Sequence, residues 1–275
     1  GIIAGKSNTK FDPNGNVTAQ EAAKMLLVTL GYNANKAGLV GSNWAAKTNA
    51  LADENGLLED VNTSFTGPCP RQYAAQLIYN AIDTPTVVWR DDAYTNTNYN
   101  DDDNKTIGEK YMGLHSVEGI LTSFAKEDGK DTYGATVSSI TKQDGSKKVT
   151  LENAKEDFTK IAKNYVALKN NKVKVLYKET DKVYGVFALT DSNRVFSGVR
   201  DDFEIDGEKV KFDGTKYTIA DTNSVKVDGE TVKDTGIKAY LTNDAKGLAK
   251  TFAAKAISND DTNKISLFTV EGYAL

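Results

Sequence analysis

The spacing of apolar residues changes character once, about a third of the way along the chain. Up to residue 90, apolar positions recur every three or four residues, the spacing of one face of an α-helix. The first such segment opens at "VTAQEAAKML". Thr18 followed three residues later by Glu21 is a capping box: the hydroxyl accepts a backbone N–H and the carboxylate reaches back to the cap residue. Ala22, Met25, Leu26 and Leu30 then share one face, and Gly31 supplies a stop. A second helix is predicted from Asn43 towards Asn55, with Trp44, Leu51 and Ala52 inward and Gly56 ending it. A third starts near Pro70, where a proline sacrifices no hydrogen bond. It turns Ala74, Leu77, Ile78, Ala81 and Ile82 inward.

Residues 91–110 carry no apolar period and are rich in Asn and Asp, which predicts a linker or long surface loop. The run Asp101, Asp102 and Asp103 lacks the alternating carboxylates and the glycine of an EF-hand, so a solvated loop is favoured over a metal site. After Tyr111 the period becomes two. "VEGILTSF" leads into the turn "KEDGKD", and "KVKVLYK" and "KVYGVFAL" flank "ETD" as a hairpin. "FEIDGEKVK" at Phe203 and "VKVDGETVK" at Val225 each place Asp-Gly between alternating strands. That pair favours a primed turn with both central residues at positive φ. "NDAKGLAKTFAAKA" reads as a short helix, and "ISNDDTNKISLFTVEGYAL" as a closing hairpin turning around Asp261 and Asn263. The expected architecture is α+β and multidomain. Helical repeats occupy 1–90, the linker 91–110, a barrel-like β module 111–197, and a β module with hairpins and a short helix 198–275. Both β modules are expected to be mainly antiparallel, the first with the rhythm of a small OB-like barrel.

Composition narrows the chemistry. Of 275 residues 39% are hydrophobic and 26% charged, and the net charge of −4 is mixed along the chain, so no basic face argues for nucleic acid. No apolar run approaches a membrane span. The single cysteine, Cys69, excludes an internal disulfide framework, and the single histidine, His115, excludes a mechanism needing two. Cys69 precedes a helix, where N–H dipoles lower a thiol pKa, but no histidine is near in sequence to serve as base. His115 stands in a strand-like approach and reads as structural. The acidic residues cluster in turns, where Asp serves backbone geometry, so no paired-carboxylate hydrolase motif emerges. No enzyme activity, cofactor or metal is expected.

The helical half repeats. "GIIAG" at Gly1 is answered by "GLLED" at Gly56, Phe11 by Phe65, and "VTAQEAAKML" by "CPRQYAAQLI" at Cys69. A period of about fifty-five residues belongs to stacked repeats, each burying a face it cannot bury alone. The run "GIIAGKSNTKFDPNGNVTAQEAAKMLLVTLGY" resembles the S-layer homology (SLH) repeat of bacterial surface proteins, and a more divergent copy continues from Trp44 to Ile82. The match covers about a third of the chain. It implies a small helical bundle, incomplete here because the leading helix of the first copy is missing, as in a chain cut from a longer protein. It also implies non-covalent attachment to a secondary cell-wall polymer, which in this family often carries pyruvate ketals and is therefore anionic. A location at the cell wall and self-association in a surface layer follow from the same resemblance.

The family's helix start usually reads Thr-Arg-Ala-Glu, its Arg contacting the polymer. The first copy here keeps Thr18 and Glu21 but has Ala19 in the Arg position, whereas the second keeps Arg71 and loses Thr and Glu. Arg71 is therefore the expected polymer ligand, set against an ordinary helix-surface cation. Trp44 is a candidate for stacking on a sugar, set against a core position, and Thr18 and Glu21 are read as a structural cap. The β half looks like the modules that follow such repeats in surface proteins of Gram-positive anaerobes. The alternatives are a carbohydrate-binding or adhesive module in that half, which a row of exposed rings would support, and a surface hydrolase, which would need converging carboxylates.

Overall fold

A computed structural model describes residues 12–96, 106–144, 147–242, 252–258 and 264–271. It is mixed α+β, with sheets that are mostly antiparallel. The chain divides between His115 and Ser116 into two compact units.

The first unit holds α1 (Ala19–Leu30), α2 (Trp44–Glu54), α3 (Arg71–Ile82), a hairpin of β1 (Val87–Arg90) and β2 (Ala93–Asn96), and α4 (Ile107–Met112). The stripe that α1 buries is Ala19, Ala23, Leu27 and Leu30. It is rotated from the expected face of Ala22, Met25, Leu26 and Leu30. The reason is that α1 packs on both α2 and α3, so the line of closest approach runs through small alanines while Ala22 and Leu26 pack at its side. On α3 Leu77 and Ala81 are buried, but Ile78, expected inward, is 53% exposed.

Gly31 ends α1 at φ +119, and a Cβ there would lie 2.1 Å from the Val87 carbonyl oxygen. The glycine is thus needed twice, for the backbone turn and for the approach of β1. Residues 91–96 and 106–110, expected within a linker, are structured. Val87 pairs with Asn96 and Arg90 with Ala93 around a turn in which Asp91 and Asp92 both take positive φ. Thr106 and Glu109 form a second capping box at the start of α4. A four-residue strand and a six-residue helix carry too little periodicity to announce themselves. Asp101, Asp102 and Asp103 lie outside the described residues.

The second unit opens with β3 (His115–Lys126), β4 (Tyr133–Asp144), β5 (Lys147–Ile161), β6 (Lys172–Glu179) and β7 (Lys182–Ala188), in the order β5-β4-β3-β6-β7. The sheet curls into a half-barrel around Leu121, Val137, Phe158, Val173, Val175 and Val186. Its free ends are drawn together: Thr159 N–H donates to Thr180 O at 2.9 Å, and Lys160 Nζ meets Asp181 Oδ2 at 2.7 Å. Glu127, in the β3–β4 turn, accepts from the Thr132 hydroxyl at 2.5 Å, Lys160 N–H at 3.0 Å and Lys130 Nζ at 3.2 Å. Those bonds, the Thr132 hydroxyl first, hold its carboxyl below the usual glutamate range.

The remaining strands are β8 (Asn193–Gly198), β9 (Phe203–Asp206), β10 (Lys209–Phe212), β11 (Thr215–Val227), β12 (Glu230–Thr231), β13 (Phe252–Ile257) and β14 (Lys264–Glu271), with α5 (Ile237–Thr242). Their order is β8-β13-β14-β11-β10-β9, with β12 on β11 and a parallel pairing of β11 with β14. Residues 193–197 therefore pair within this second sheet, through β8 and β13. Phe196, Phe203, Phe212 and Tyr217 interlock in the core. Asp228-Gly229 is the primed turn expected, with both residues at positive φ. At Asp206 the turn shifts by one: Asp206 pairs with Lys209, and Gly207 alone takes positive φ. Asp213-Gly214 makes a further turn of the same kind between β10 and β11. A short helix lies at Ile237–Thr242; of the segment expected to hold one, residues 243–251 lie outside the described residues, and Phe252–Ile257 is a strand that pairs with β14. The closing turn around Asp261 and Asn263 lies outside the described residues.

Two predictions follow from these contacts. Gly31→Ala should lower the stability of the helical unit by more than about 1 kcal/mol, the cost of placing an L-residue at that backbone, before the clash with Val87 is added. Thermal unfolding followed by circular dichroism reads this directly. Glu127 has a lowered pKa in the folded state, so its contribution is full above the unfolded value and fades as pH falls through the folded one. Urea unfolding from about pH 5 to about pH 3 should therefore show a shallower acid loss for Glu127→Gln than for the parent.

Candidate functional site

The two copies of the helix start are neighbours in space. Thr18 and Pro68 form an antiparallel bridge, and Cys69 N–H donates to Val17 O at 2.8 Å. Gln20 N–H adds a bond to Phe65 O at 3.3 Å. So α1 and α3 leave a short ladder side by side, and their N-termini open at the same place. Phe65 packs on the core beneath, while Phe11 lies outside the described residues.

The two N-termini differ electrostatically. At α1, Glu21 N–H donates to Thr18 Oγ1 at 3.2 Å and Thr18 N–H to Glu21 Oε2 at 3.0 Å, so the positive end of the helix already holds a carboxylate. At α3 the cap is Pro70, which offers no side-chain bond, and the first turn carries no acid. Arg71 is the first residue of that helix. It is exposed and has no hydrogen bond or ion pair among the described residues. Tyr73 N–H donates to Pro70 O at 3.0 Å, and a guanidinium beside the remaining first-turn N–H groups attracts an anion.

Trp44, the first residue of α2, is half-buried rather than core, and Lys24 Nζ from α1 lies 5.3 Å from its ring centroid. The ring is engaged by Lys24. Cys69 is half-buried, its Sγ 3.6 Å from Pro70 O, and burial pushes the thiol upward, against any activation by the helix dipole. His115 Nδ1 lies 3.3 Å from Glu109 Oε1, so the ring engages the acid of the α4 capping box.

A second cluster escaped the sequence reading. At the other end of α1, Tyr32 and Tyr94 meet at 4.6 Å between centroids, Trp89 and Tyr94 at 4.8 Å, and Lys36 Nζ sits 4.8 Å from the Trp89 centroid. Burial, foremost, pushes the Tyr32 hydroxyl's pKa upward. The signal was present in "VVWRDDAYT", but Trp89 and Tyr94 become opposite neighbours only once that stretch is recognised as a hairpin.

In the second unit, a shallow open recess follows the β3–β4 turn, lined by Lys126, Glu127, Asp128, Gly129, Lys130 and Asp131. Two of its lysines pair with its own acids: Lys126 with Asp131 and Lys130 with Glu127. Exposed Tyr184 and Phe187 stand on β7, with the Phe187 ring folded across Gly185 rather than presented as a platform. Among the described residues, no three His, Cys, Asp or Glu side chains gather as a metal group, and no helix is long and apolar enough to cross a membrane.

Thr18→Ala should cost about 1 kcal/mol, the usual worth of a cap hydroxyl, read as a lower midpoint in urea with an unchanged far-UV spectrum. The chain matches no protein-family model, no curated protein and no solved structure.

Proposed function

We propose that this chain is a bacterial cell-surface structural protein whose helical unit attaches non-covalently to an anionic, pyruvylated secondary cell-wall polymer in the manner of SLH repeats. The β unit is then the part displayed at the surface, where self-association in a layer would occur. The observation that carries the reading is the pairing of the two helix starts, which leaves one N-terminus filled by Glu21 and the other open beside an unpaired Arg71. An incoming carboxylate would meet the Arg71 guanidinium and the first-turn N–H groups of α3; Pro70, which has no N–H, offers no counterpart of the Thr18 N–H that Glu21 accepts at α1. Trp44, partly exposed under Lys24, offers a ring for the sugar on the neighbouring helix. We read the curled five-stranded sheet as an OB-like barrel: a meander of three strands, then a crossover to the far side of β3, with β5 returning to the β6–β7 turn. That analogy adds no function by itself.

Isothermal titration with purified pyruvylated wall polymer tests the reading. One charge-assisted bond contributes about 1.5–3 kcal/mol, so Arg71→Ala should weaken binding about tenfold to a hundredfold. Undiminished binding by Arg71→Ala would remove Arg71 from the site, and no binding by the parent would remove the site.

A further inference from the structure

We propose that Trp89 and Lys36 form a second saccharide subsite, selective for an acidic pyranose, at the C-terminal end of α1. The inference goes beyond the wall-polymer reading and does not need it. The two places are about 18 Å apart along the helix, from its 12 residues at 1.5 Å each.

Trp89 is 37% exposed on β1, and Tyr94, directly opposite on β2, supports it edge-on. A large ring held partly in water suits the apolar C–H face of a sugar, as ring stacking does for other flat or ring-shaped ligands. Lys36 gives the subsite its sign. Its ammonium lies over one face of the indole, so a sugar would stack on the part of the ring that it leaves in water, and it has no carboxylate partner among the described residues. Arg90, next along the strand, is exposed and likewise unpaired.

The subsite is pre-organised. The Asn33 side chain accepts from the N–H groups of Asn35 and Lys36 at 3.0 and 3.1 Å, which fixes the turn carrying the lysine. The Tyr94 hydroxyl accepts from Asn33 N–H at 3.0 Å and donates to Asn33 O at 3.4 Å. Turn and hairpin are thus one piece, so the backbone that carries Lys36 and Trp89 needs little ordering on binding.

The chain has two tryptophans, Trp44 and Trp89, so in full-length Trp44→Phe excitation at the red edge, where tyrosine does not absorb, reads Trp89 alone. The probe is an oligogalacturonate, with its methyl ester as the neutral comparator and a polyglutamate peptide as a non-sugar anion. Saturable quenching of Trp89 is expected with the oligogalacturonate. Affinity should be about tenfold lower for the ester, and as much lower again when Lys36→Gln is added, while Arg71→Ala leaves the quenching unchanged. Trp89→Phe guards against a folding effect: in the otherwise native chain it should keep the thermal midpoint and weaken oligogalacturonate binding by calorimetry. No response of Trp89, an equal response to ester and acid, an unaltered response in Lys36→Gln, or an equal response to polyglutamate would each overturn the proposal. Loss of the Trp89 response in Arg71→Ala would also overturn it, by merging the two places into one.

Discussion

The helical unit is organised around one small contact, the backbone pairing of residues 17 and 18 with 68 and 69. Each copy of the repeat ends its loop there before its helix begins. The ladder uses backbone groups, so it tolerates the divergence between "VTAQE" and "CPRQY" at the level of side chains. What it fixes is the common origin of α1 and α3. From that origin the alanine stripe of α1 follows, and with it the core of Ala23, Leu27, Leu30, Leu77 and Ala81.

The same pairing sets up the electrostatic contrast on which the functional reading rests. Two helix N-termini emerge together with different caps and different fillings, Thr18 with an N–H to donate and Pro70 without one. Glu21 satisfies one internally. The other is left to Pro70 and Arg71, with no acid in the first turn. The repeat thus divides into one self-capped start and one without an acid, and the proposed anion site is placed at the second.

The sequence was most readable where local rules act alone. The Thr18–Glu21 box, the stop at Gly31 and the turns at Gly207 and Gly229 each depend on a few adjacent residues, and the structure contains all of them. The hairpin around "ETD" was equally plain. What was not legible depends on partners distant in the chain. The inward face of α1 is set by two helices at once, which spacing cannot reveal. The parallel pairing of β11 with β14 and the antiparallel pairing of β8 with β13 join segments far apart in sequence. The candidate site shows the same division: Arg71 could be singled out from the repeat, but its empty neighbourhood could not. Trp89 was invisible because its significance lies in Tyr94 across the hairpin and Lys36 across the unit.

The pairing of the two helix starts can be tested with the chain's own chemistry. Val17 faces Cys69 across the ladder, at the separation of an antiparallel pair, about 4.5–5.5 Å between Cα atoms, within the range a disulfide spans. The chain has no other cysteine. Val17→Cys, folded and then exposed to oxidised glutathione, should lose both thiols to an intramolecular bond, stay monomeric by mass, and melt at a higher temperature than its reduced form. If both thiols stay free in the folded protein, or link only between molecules or after unfolding in urea, the helix starts are not side by side and the account fails.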